Sequence, residues 1–272
     1  MNGRKGEADR DSLATDLRRL GVRPGDCIMV HASLRAVGPI RGGPDALVGA
    51  LLDAVGPDGT ILAYVSWDRS PYEETLNDAV LDPFVKALWP AFDPATAKAY
   101  PGFGMLNSFL VRHPEAERSG NPDASVAAIG VAARWLTQSH PLDSGYGPGS
   151  PMERLVQLKG KVLLLGAPPS TVTVLHYAEA IAPISGKRRV TTEMPIRGAD
   201  GSTIWCRAED YDSNGILDCY AGEGPDAIER IATDYLALGR HSQGYIGQAQ
   251  SHLIEAADIV DFGVDWLVNH HG

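Results

Sequence analysis

His176 and Glu179 stand three residues apart in the stretch KVLLLGAPPSTVTVLHYAEAIA, residues 161–182. On a helix that spacing sets an imidazole and a carboxylate on one face. An imidazole titrates near neutrality and can take or return a proton, and a carboxylate can orient it or hold a cation. A hydrogen-bonded structural histidine beside a solvated glutamate fits the same spacing, so the pattern alone leaves both readings open. Cys27 lies inside an apolar run and reads as a small core residue rather than a nucleophile. The chain has no GxSxG elbow, no Walker loop, no HxxxH or HExxH helix, and no GxGxxG after its first strand-like run. His270 and His271 read as solvated.

The elements around this pair decide whether it can work. Val162 to Leu165 is a short, wholly apolar run closed by Gly166, which reads as a buried strand of a parallel or mixed sheet. Pro168 and Pro169 interrupt regular structure, and Ser170 or Thr171 is placed to cap a following helix with Leu175, Ala178 and Ala182 on its core side. A strand, a turn and a helix start form a place where ligands gather in open α/β sheets.

Earlier in the chain, Leu13, Leu17 and Leu20 mark a helix stopped at Gly21, and Cys27 to Val30 reads as a buried strand. The loop HASLRAVG, from His31 to Gly38, leads through Arg41-Gly42-Gly43-Pro44 into a helix carrying Leu47, Leu51 and Val55. Thr60 to Val65 is the next strand, completing a βαβ pattern. Residues 67–101 break the rhythm with acidic, aromatic and proline residues, as long functional or surface loops do. Short elements are expected at 102–112, 126–129, 131–137 and 152–158. Arg189 to Ile196 and Thr203 to Cys206 read as a hairpin, followed by an acidic stretch. Helices are expected at 226–238 and 252–268. Residues 1–10 read as a disordered leader and 11–272 as one α/β domain with an inserted acidic loop.

The chain has 272 residues, 44% of them hydrophobic, enough for a sizeable core. Its 34 acidic and 24 basic residues give a formal charge of −10, which argues against a nucleic-acid partner and suits a cationic ligand. Three cysteines without a CxxC pair suggest neither a disulfide framework nor a zinc site, and no metal is expected. The charged first residues lack the apolar core of a signal peptide, and no apolar run approaches the ~20 residues that span a bilayer, so a cytoplasmic location with no membrane partner is expected.

The segments VHASLRAVGPIRGGP, SHPLDSGYGPGSPMERL, GKVLLLGAPPSTVTVLHYAEAIA, GKRRVTTEMP and SQGYIGQAQSHLIEAADIVDFGVDWL closely resemble those of the aminoglycoside 3-N-acetyltransferases. The resemblance covers residues 10–268, and several ordered motifs at compatible spacing are more specific than any one alone. One departure bears on substrate range: Asn121-Pro122-Asp123-Ala124-Ser125 stands where many relatives have His-Pro-x-x-Ser.

The resemblance implies a single domain with the family's own mixed-sheet α/β fold, distinct from the GNAT acetyltransferases. It implies transfer of acetyl from acetyl-CoA to the 3-amino group of the 2-deoxystreptamine ring, hence antibiotic resistance; a monomer or homodimer is expected. His31, Ser33, Arg35 and Val37 are carried over as coenzyme A contacts, with Asn107 and Ser108 joining them. His176 is carried over as the general base for direct attack in a ternary complex. Asp212 in the acidic segment is its implied partner, with Asp210 and Glu179 as rivals. Polycationic antibiotics call for carboxylates: Asp68, Glu179, Glu209, Asp210 and Glu223 are the candidates, with Tyr64 beside them as a further substrate contact. Two other functions stay open: acyl transfer to another amine-bearing metabolite, and non-catalytic sequestration of aminoglycosides.

Overall fold

The computed structural model describes residues 6–222 and 224–272. Nine strands and eleven α-helices are assigned among these residues. The strands are β1 (Cys27–Ala32), β2 (Thr60–Tyr64), β3 (Glu117–Arg118), β4 (Val126–Gly130), β5 (Lys161–Leu165), β6 (Arg189–Arg197), β7 (Thr203–Tyr211), β8 (Ser242–Ile246) and β9 (Ala249–Glu255). The helices are α1 (Arg10–Leu20), α2 (Leu34–Val37), α3 (Gly43–Val55), α4 (Tyr72–Thr75), α5 (Pro83–Leu88), α6 (Met105–Val111), α7 (Ala133–Thr137), α8 (Pro151–Gln157), α9 (Leu175–Ile181), α10 (Ala227–Ala237) and α11 (Ala256–His271).

Seven strands form one sheet in the order β3-β4-β2-β1-β5-β9-β8. Its centre is parallel: β1 pairs with β2 on one side and with β5 on the other, with His31 beside Leu164 and Ala32 beside Leu165. The flanks are antiparallel, β4 on β2 and β9 on β5. Alternate residues of these strands feed two cores. Met29, Leu62, Val162 and Leu164 face the layer that includes α8 to α11, and Ile28, Val30, Ile61 and Leu163 face α1 and α3. Burial on both faces is why the strands at 27–30 and 162–165 are apolar runs rather than alternating ones. The mixed three-layer α/β fold agrees with the class expected. Strands β6 and β7 form a separate hairpin in a register that pairs Thr191 with Glu209 and Val190 with Asp210.

Four expectations need correction. Of the expected disordered leader, residues 1–5 lie outside the described residues, but Ala8 is buried and bridges to Ile40, while the Asp9 side chain accepts from Ser12 N–H as the cap of α1. Neither Ser170 nor Thr171 caps the His176 helix. Residues 169–171 form a 3₁₀ turn, and the first N–H groups of α9 are satisfied by turn bonds such as His176 N–H to the Thr173 carbonyl at 3.1 Å. The expected helix at 252–268 begins only at Ala256, because His252 to Glu255 belong to β9, which closes the flank of β5. Leu253 and Ala257 are four residues apart, a separation that fits one face of a helix or of a strand alike, so the pattern ran through the junction. The second hairpin strand continues to Tyr211, which takes Glu209 and Asp210 out of a loop and into the ladder.

Candidate active site

The carboxyl ends of β1, β2 and β5 open into a cleft of about 810 Å³. His176, in the first turn of α9, reaches it from the turn that follows β5. Its Nδ1 lies 2.7 Å from Oε2 of Glu179, whose carboxylate is buried behind the ring. A carboxylate only accepts, so this bond fixes the proton on Nδ1 and leaves the Nε2 lone pair free. Burial pushes the Glu179 carboxyl above its usual range, and the His176 hydrogen bond opposes that shift. Tyr146 packs on the imidazole with ring centroids 4.7 Å apart.

The expected partner Asp212 is not bonded to His176. Its Oδ2 pairs with Arg188 at 3.0 Å and its Oδ1 accepts from Asn214 N–H. The reason is chain geometry: β7 ends at Tyr211, and Asp212 turns back onto Arg188, whose carbonyl also receives its N–H.

Of the carried-over coenzyme residues, His31, Ser33, Arg35 and Asn107 line the cleft. His31 Nε2 is buried with no hydrogen-bond partner, and burial lowers the ring to about 4, so it is neutral at physiological pH. Ser33 accepts from Ala36 N–H as the cap of α2, which holds the turn that presents the Arg35 guanidinium. Asn107 donates to the carbonyls of Tyr64 and Phe103, tying α6 to the end of β2. Val37 is in the core and Ser108 does not line the cleft. Cys27 is absent from the lining, and burial raises its thiol to about 12, so it is inert.

Among the acceptor candidates, Tyr64 and Asp68 line the cleft, and Glu179 supports His176 from behind. Glu209 forms an exposed ion pair with Arg189. Asp210 accepts from Gly145 N–H at 2.6 Å and so holds the loop that carries Tyr146. Neither lines the cleft. Glu223 lies outside the described residues.

Asp123, Glu73 and Tyr146 were not among the candidate site residues, yet all of them line the cleft. Asn121 Oδ1 accepts from the N–H of Asp123 and of Ala124, a turn that displays Asp123; the Asn-Pro-Asp sequence is the local signal for it. With Asp68, these residues bring three carboxylates to the cleft, against Arg35 as its one Lys or Arg among the described residues. No group of three or more His, Cys, Asp or Glu among the described residues is placed to hold a metal, and no helix there is long and apolar enough to cross a membrane.

A family model for aminoglycoside 3-N-acetyltransferases matches residues 29–268. The chain belongs to that family. The acetyltransferase is 60% identical over 263 residues to aminoglycoside N(3)-acetyltransferase III of Serratia marcescens, covering 96% of this chain and 98% of that one. It superposes with a TM-score of 0.96 on AAC-VIa bound to sisomicin, at 53% identity with 98% of this chain and 100% of that chain covered. It superposes with a TM-score of 0.92 on the binary complex of AAC-IIIb with CoASH, at 46% identity and 98% coverage of each.

Proposed function

We propose that the cleft transfers acetyl from acetyl-CoA directly to the 3-amino group of an aminoglycoside's 2-deoxystreptamine ring, with His176 as general base and Glu179 as the group that orients it. The observation that carries this reading is the 2.7 Å bond from His176 Nδ1 to the buried Glu179 carboxylate, beside a cleft lined by three carboxylates. The acceptor amine is mostly protonated at neutral pH and has no lone pair in that form. The ammonium gives one proton to solvent, and Nε2 of His176 takes a second from the neutral amine as its nitrogen attacks the thioester carbonyl. A C–N bond forms, the C–S bond breaks, and the imidazolium returns the proton to the departing thiolate. Glu179 stabilises the imidazolium between the two transfers, in the way a carboxylate supports the base of a hydrolase triad. No residue need carry the acetyl group.

The end of β1 and the start of α2, from His31 to Arg35, are the proposed site for the coenzyme, with Arg35 suited to phosphate. The binary complex of one relative with CoASH supports that coenzyme, and the sisomicin complex of the other supports the acceptor class. Acetyl-CoA-dependent thiol release against a panel of aminoglycosides tests the whole reading. Turnover with sisomicin is expected. Binding without thiol release would instead identify a sequestering protein, and turnover restricted to other amines would identify a different acyltransferase. His176→Ala is expected to lower kcat ~100-fold or more while leaving sisomicin binding measurable. Near-normal turnover in that variant would remove His176 from the chemistry.

A further inference from the structure

We propose that Asp123 receives a second ammonium of the bound aminoglycoside, one that is not acetylated, and thereby selects which amine is delivered to His176. This rests on the acceptor class just proposed and adds the residue that sets the acceptor's register.

The carboxylate is held and yet unmatched. Its Oδ1 accepts from Ser70 Oγ–H at 2.8 Å, whereas its Oδ2 has no protein partner among the described residues, and the residue lines the cleft. No lysine or arginine among the described residues pairs with it. Other carboxylates set into the fold do have such a partner: Asp26 has Lys161 at 2.8 Å and Asp212 has Arg188 at 3.0 Å. Burial raises the Asp123 carboxyl to about 6, against the Ser70 hydrogen bond and with a smaller push from nearby Glu73. A half-buried carboxylate with one oxygen open to the cleft and no countercharge is well placed for a cation that a ligand brings. A polycationic acceptor brings several.

Asp123 is also rigidly tied to the base. Its main-chain carbonyl accepts from Tyr64 Oη–H at 3.2 Å, Tyr146 Oη–H donates to Tyr64 Oη at 2.9 Å, and the Tyr146 ring lies on His176. The two tyrosines thus span the space between the unmatched carboxylate and the proton acceptor. One ammonium fixed at Asp123 limits which other amine of the same rigid ring system can reach Nε2. Two-point capture of this kind converts binding into orientation.

The test is Asp123→Asn, which keeps an acceptor for Ser70 and removes the charge. The variant and the wild type are titrated with sisomicin and with a series of aminoglycosides that each lack one amino group away from the acetylated position. The expected result is a rise of about 10-fold or more in the Kd and KM for sisomicin, the scale of a lost charge-assisted hydrogen bond, with the KM for acetyl-CoA unchanged. One analogue should bind the wild type poorly and the variant no worse than sisomicin binds it, which identifies the ammonium that Asp123 holds. Unchanged sisomicin affinity, or an equal loss across the whole series, overturns the proposal. Calorimetry repeated in His176→Ala separates this test from the base assignment, because binding there does not depend on turnover. Should Asp123→Asn fold poorly, Ser70→Ala releases the carboxylate without removing its charge. A several-fold weaker sisomicin Kd is then expected, and no change overturns the proposal equally.

Discussion

Glu179 follows His176 by three residues, and on a helix that spacing is compatible both with two side chains that bond each other and with two that face a common ligand. Burial decides between them. Glu179 is enclosed and its nearest polar partner is Nδ1 of His176, so its charge acts through the ring. Glu179→Gln keeps the shape and removes the charge, and its amide can present N–H to Nδ1 and favour the wrong tautomer. A loss of about 100-fold in kcat is expected, with sisomicin binding nearly unchanged; steady-state kinetics beside calorimetry would show it, and a pure binding defect would contradict it. Asp123 gives a prediction in stability. Its carboxyl stands at about 6 in the fold, above its ordinary 3.8, so its protonated form favours folding and that contribution is lost as pH rises through 6. Asp123→Asn should therefore be more stable than the wild type at pH 7.5, by up to about 3 kcal/mol for a shift of this size, and no more stable at pH 3. Urea unfolding at the two pH values measures this, and equal stability at both would show that the buried charge carries no such penalty. The sequence pointed to His176, Tyr64, Asp68 and the 31–35 turn, because each follows a strand end or lies in a recognisable motif. It did not reveal Asp123, whose place beside Ser70 depends on β4 pairing with β2, nor that Arg188 would capture Asp212.

At the scale of elements, β5 and α9 were legible because one is apolar throughout and the other carries its core residues at helical spacing. Strands β3 and β8 were not: β3 has two residues, and β8 is SQGYI, with only Ile246 buried. Their pairing with β4 and β9 makes them strands, and propensity does not announce it. Gly166 matters more than its spacing suggests. It ends β5 with φ +65°, and a Cβ there would lie 2.6 Å from Ala36 Cβ and 3.0 Å from Ala249 Cβ. The close approach lets the turn carrying Arg35 sit against the strand that leads to His176. Gly166→Ala combines left-handed backbone strain with overpacking, and should lower stability by about 2–4 kcal/mol. Since α2 must give way, the KM for acetyl-CoA should rise as well. A denaturant midpoint equal to the wild type's would show that the two elements part freely. Arg35→Ala separates the charge from the packing: it should raise the KM for acetyl-CoA more than that for the antibiotic, without changing the midpoint.

At the scale of the molecule, the formal charge of −10 and the make-up of the cleft act in the same direction. Asp68, Glu73 and Asp123 come from the segment after β2 and from the turn before β4, whereas Arg35 comes from the turn after β1. An anionic surface draws a polycation toward the cleft, and the carboxylates inside then hold it. Both effects weaken with screening, since the Debye length falls from about 10 Å at ~0.1 M salt to about 3 Å at ~1 M. A polyanionic coenzyme meets the opposite field. Salt relieves its repulsion from the protein as a whole while weakening its contact with Arg35, and the two changes offset each other. Raising salt over that range should therefore increase the KM for sisomicin by about 10-fold and move the KM for acetyl-CoA far less. In Asp123→Asn the slope of log KM for sisomicin against log salt should be shallower, because one fewer charge is matched on binding. Parallel salt slopes for the two substrates, or a sisomicin KM indifferent to salt, would mean that the cleft carboxylates are bystanders and that hydrogen bonding alone holds the acceptor.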